Sequence, residues 1–138
     1  MNRRTTHPGG RCPDRGSASV ELAILFPAVL LIITALLQYG LWFHARAVAL
    51  AAAQEGVFAA RTYHATPHLG AATALAFIAD HGSDTLLSPA ATTSTPAVGQ
   101  VQVAVTGRSL SVLPGVAGLA VSQSAAGPVE RFTVAGAP

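Results

Sequence analysis

With 138 residues the chain is long enough for one modest domain and short for two. Only 10% of its residues are charged and 51% are hydrophobic, far from the quarter charged of an ordinary water-facing domain, so part of the chain is expected to face something other than water. The formal net charge of +2 rests on eight basic residues, all Arg, four within the first 16 positions and four scattered beyond them, which argues against a phosphate-tracking nucleic-acid surface.

Residues 1–16 read as a cytoplasmic basic leader. Arg3, Arg4, Arg11 and Arg15 stand just ahead of an apolar run, on the flank that the positive-inside rule assigns to the cytoplasm. Cys12 is the only cysteine, so no internal disulfide can form.

Residues 17–43 read as a transmembrane helix. No charged residue occurs from Leu22 to Phe43, and a helix of that length spans about 33 Å against a hydrocarbon core of about 30 Å. A cleaved signal peptide is the nearest competitor, with "ARA" at Ala45–Ala47 as a small-residue cut site, but its apolar core is expected to be only about 7–15 residues long. Pro27 lacks an N–H and crowds the carbonyl of Ala23, which predicts a kink. Such a kink is either a packing site for another helix or a tolerated irregularity.

Glu21 stands at the threshold of this run. A carboxylate at the centre of a transmembrane helix costs on the order of 3 kcal/mol, and less at its edge, where it can reach water or pair with Arg15. Its spacing offers another reading. Gly16, Ser17, Ala18, Ser19, Val20 and Glu21 form "GSASVE", directly followed by the apolar helix. This segment resembles the type IV prepilin signature, in which a dedicated membrane peptidase cuts after the Gly and the Glu becomes the fifth residue of the mature chain. The resemblance implies cleavage of the Gly16–Ser17 bond and a new α-amino group at Ser17. Gly16 favours an extended, accessible backbone before the helix begins. Ser17 and Glu21 would lie roughly 6 Å apart along a helix, so an axially staggered neighbour could set its amine against this carboxylate. Glu21 would then fix the register of assembly. In the small Flp pilins an aromatic commonly follows the Glu; here Leu22 does.

Beyond the span, residues 44–81 read as an exported helical region. "HARAVALAAAQEGVFAARTY", His44 to Tyr63, is Ala-rich and free of Pro, and it continues the first helix. Pro67 ends that helix, and "LGAATALAFIADHG" predicts a second short one closed by Gly82. Residues 82–100, rich in Ser, Thr, Pro and Gly, read as a flexible linker. Residues 101–138 read as a small antiparallel β region: "VQVAVTG" and "ERFTV" alternate, and "LAVSQSA" fits less cleanly. The expected fold class is α+β, with a long transmembrane helix, a short second helix and a small sheet packing one face on the exported helix.

Taken together, "RGSASVELAILFPAVLL", "AAAQEG" with Arg61 following, and "GPVERFTV" resemble the TadE-like proteins of tight-adherence (Tad/Flp) pilus systems. The resemblance implies a single-pass, pilin-like protein, a minor pilin or assembly component acting in pilus biogenesis and adhesion. Its expected place is the cytoplasmic (inner) membrane, N-terminus in the cytoplasm and C-terminal region exported, with incorporation into a surface pilus as a further expectation. The implied partners are the membrane, a prepilin peptidase, and other pilins or Tad secretion-platform proteins.

No catalytic chemistry is legible. Near His81, Asp80 and Asp84, Pro67 interrupts the helix that would place His64 and His68 on one face, and no Cys joins them, so no metal site is expected. The chain has no Gly-rich phosphate loop and no H-E-x-x-H or G-x-S-x-G motif, and nothing brings Glu55 and Glu130 together. The expectation is no enzyme, no cofactor, no nucleic acid and no small-molecule substrate. The competing class is a static single-pass anchor whose exported domain binds a ligand or the cell wall without polymerising, in which Gly16 and Glu21 have no special role.

Overall fold

A computed structural model describes residues 14–62 and 65–129. In order these form α1 (Asp14–Ala60), α2 (Pro67–His81), β1 (Leu86–Ser94), β2 (Gln100–Ser109) and β3 (Ala120–Pro128). The class is α+β, as expected. Two units divide between Ala35 and Leu36, inside α1.

In the first unit, α1 is apolar on all sides. Leu22, Ile24, Leu25, Phe26, Val29, Leu30, Leu31, Ile32 and Ile33 are all exposed. A helix hydrophobic all round belongs in a protein core or a membrane, and here no core covers it. The helix satisfies most of its backbone internally, as lipid demands. Pro27 leaves the Ala23 carbonyl without its usual donor, and two turns later the Thr34 hydroxyl donates to the Leu30 carbonyl at 2.8 Å.

In the second unit, the same helix turns Ala-rich and acquires a buried face. Ala45, Ala49, Ala52, Ala53, Val57 and Ala60 recur at three- and four-residue intervals, and all are buried. They meet Ala74 and Ile78 of α2, Val101, Val103 and Val105 of β2, and Val121 of β3 in one core. Small residues make this approach possible. A Cβ on Gly56 would stand 2.6 Å from the Gly70 carbonyl oxygen and 3.0 Å from Val103 Cγ1, so α1, α2 and the sheet close on that position only because it is bare. Pro67 opens α2 at its first turn, where a missing N–H costs nothing, and the Gly82 N–H closes it on the Ile78 carbonyl at 2.8 Å.

The sheet is antiparallel in the order β1-β2-β3. Central β2 alternates cleanly, with Val101, Val103 and Val105 turned inward, and Val103 lies between Thr93 of β1 and Ala125 of β3. The sheet packs on the part of α1 that lies in the second unit, as expected.

Three expectations are corrected. The flexible linker of 82–100 contains a strand, β1, and only its ends are connecting segments. This strand lies at the sheet edge with mostly exposed side chains, so it shows no apolar alternation; the pairing comes from β2. Its Pro89 falls where the register shifts between Leu87 and Ala90, beside Ser88 at φ 50°, a position at which a strand tolerates proline. The first helix ends at Ala60 rather than Tyr63: the Thr62 hydroxyl turns back to the Ala59 carbonyl at 2.8 Å. Tyr63 and the "ERFTV" strand lie outside the described residues. Gly16 lies inside α1, which begins at Asp14, and not in extended chain ahead of the helix.

Candidate assembly and membrane site on the apolar helix

At its N-terminal end, α1 begins at Asp14, so Gly16 and Ser17 lie in its first turn and not in extended chain ahead of it. The first N–H groups of any helix have no intrahelical partner, so this turn opens at little cost. Glu21 is exposed, one residue before the uncharged stretch. Pro27 lies inside the helix and is exposed, among exposed apolar side chains. Gly16, Ser17 and Glu21 thus share one short helical segment, with Pro27 less than two turns beyond Glu21.

At the other end of the apolar stretch, in the second unit, aromatic rings gather. Tyr39 lies 5.9 Å from Trp42 and 6.4 Å from Phe43, centroid to centroid. The Arg46 guanidinium stands 5.7 Å from the Trp42 ring, a cation–π contact at the first charged residue after Glu21. Rings of this kind suit a membrane–water boundary. Gln38 carries the only carboxamide between Leu22 and Phe43. Its Nε2 donates to the Leu110 carbonyl at 3.1 Å, and its Oε1 accepts from the Val112 N–H at 3.0 Å. The Trp42 indole N–H donates to the Ala120 carbonyl at 3.2 Å. Together they bind α1 to the β2–β3 connection and the first residue of β3. Sequence reasoning missed both residues, although a lone amide and the only Trp in an uncharged run were signals.

Among the described residues, no three His, Cys, Asp or Glu side chains are close enough to hold a metal ion. His81 stacks on Phe77 with centroids 4.7 Å apart, a structural contact; His64 lies outside the described residues.

Among the described residues, one helix is apolar and long enough to span a bilayer, and joined to a small α+β unit it points to a single-pass membrane protein. Residues 16–57 match the family model described as TadE-like protein, the family that the sequence resembles. The match begins at Gly16 and runs through the core-facing turns of α1 to Val57, while α2 and the sheet lie beyond it. The match points to involvement in Tad pilus assembly. No curated protein and no solved structure matches the chain.

Proposed function

We propose that the protein is a membrane-anchored, pilin-like component of a Tad/Flp-type pilus, a minor pilin or assembly factor cut by a prepilin peptidase between Gly16 and Ser17. The observation that carries this reading is the TadE-like match starting at Gly16, with Glu21 five residues on and an uncovered apolar helix behind it. The N-terminus faces the cytoplasm and the second unit is exported. Once cleaved, the Ser17 amine of one copy sits against Glu21 of an axially staggered neighbour, a pairing that a low-dielectric setting strongly prefers to two isolated charges. Partner pilins or platform proteins cover the helix that lipid covers before assembly.

Intact-mass measurement on protein from peptidase-positive and peptidase-negative cells tests processing. A mature chain beginning at Ser17 is expected only in the former, and an unprocessed leader in both would sink the pilin reading. Glu21→Ala should leave membrane insertion intact and abolish incorporation into assemblies. Normal assembly by that variant would favour the static anchor instead.

A further inference from the structure

We propose that the β2–β3 connection, residues 110–119, is a second lipid contact that seats the second unit on the outer boundary of the bilayer that α1 spans; this rests on reading α1 as a membrane helix. Leu110, Val112, Leu113, Val116 and Leu119 are all exposed, Val116 by 56% and Leu119 by 51%, and no charged residue occurs from Ser109 to Val129. An exposed apolar cluster of this kind marks a surface meant to be covered.

The loop is built, not loose. Its base is closed by the Ser109 N–H donating to the Leu119 carbonyl at 2.9 Å and the Leu119 N–H donating to Ser109 Oγ at 3.1 Å. Arg108 Nη1 donates to the Gly118 carbonyl at 3.2 Å, and a Cβ on Gly118 would overlap the Ser109 carbonyl. Its tip is a Leu113-Pro114-Gly115-Val116 turn with Gly115 at φ 78°, the Pro–Gly pattern of a type II turn. The N–H groups of Val112, Leu113, Val116 and Leu119 have partners on Gln38, on Ser109 or within the loop, and the remaining backbone groups suit the interfacial layer, where water still reaches, and not the hydrocarbon core.

Continuity with α1 identifies the occupant as lipid. The loop is hydrogen-bonded to Gln38, which lies roughly 7.5 Å along the helix inside Phe43, the end of the uncharged run. Its neighbours on the helix are Tyr39, Trp42 and Phe43. A segment fixed at that depth shares the boundary layer with those rings.

The test uses the full chain with Cys12→Ser and a single nitroxide-labelled cysteine, reconstituted in phosphatidylcholine–phosphatidylglycerol vesicles. Val116→Cys reports the loop. Val98→Cys, 93% exposed in the β1–β2 turn at the opposite end of β2, reports water, and Leu31→Cys reports the span. Collision of the Val116 label with a water-soluble nickel complex should be several-fold below that of Val98 and its collision with oxygen should approach that of Leu31, at every protein-to-lipid ratio. Equal nickel access at Val116 and Val98, with Leu31 shielded, overturns the proposal alone. Shielding of Val116 that disappears on dilution in lipid also overturns it, since the cover is then a second copy. Nickel access at Leu31 overturns the span and the proposal together. An uncut Gly16–Ser17 bond would remove the pilin reading and leave this measurement unaffected.

Discussion

An amide inside an uncharged apolar run has to find hydrogen-bond partners before it can face lipid. Gln38 finds two, on Leu110 and Val112, and replacing it with an isosteric apolar side chain separates insertion from loop anchoring. Gln38→Leu should still insert, while the Val112 amide, deprived of its acceptor, exchanges its hydrogen faster. A net loss of about 1 kcal/mol corresponds to roughly fivefold faster exchange, read residue by residue in detergent or nanodiscs. Unchanged exchange at Val112 would mean that the loop holds itself. Sequence reasoning reached Gly16, Ser17 and Glu21 because their message lies in local spacing. It missed Gln38 because the partners are 72 and 74 residues away, and no periodicity records a contact of that range.

At the level of elements, α1 has two characters, with large aliphatic side chains uncovered in its first unit and Ala and Gly packed in its second. Gly56 marks the closest approach in the packed part. Gly56→Leu should force apart α1, α2 and β2 at a cost of about 1–3 kcal/mol, lowering the melting temperature of the sheet signal by several degrees in circular dichroism of the detergent-solubilised chain. An unchanged melt would show that α1 does not pack there. The helices and β2 were legible because apolar periodicity marks an element with a buried face, as at Val101, Val103 and Val105. β1 was not, because an edge strand of Thr, Ser, Pro and Ala carries little such pattern and depends on its partner for its form. β3 falls between: Val121 alone is fully turned into the core, and Ala, Ser and Gly fill the rest.

For the whole molecule, a single spanning helix predicts that the protein stays in the membrane pellet under alkaline carbonate and leaves it only with detergent. Release by carbonate would replace the span with a peripheral attachment. The system was legible from "GSASVE" and its apolar sequel, and the TadE-like match covers the same helix. The role within that system was not, since a fibre subunit and an assembly factor need the same anchor. The first turn of α1 supplies a chemical handle on that difference. Residues 17–138 contain no Lys, so cutting at Gly16–Ser17 makes the Ser17 α-amine the one primary amine in that stretch. An amine-selective acylating tag applied near neutral pH should therefore mark processed, unassembled copies at a single atom. Copies whose amine already neutralises a neighbour's Glu21 should remain untagged, which turns the fraction labelled at Ser17, as distinct from uncut copies labelled at Met1, into a count of subunits waiting to be assembled.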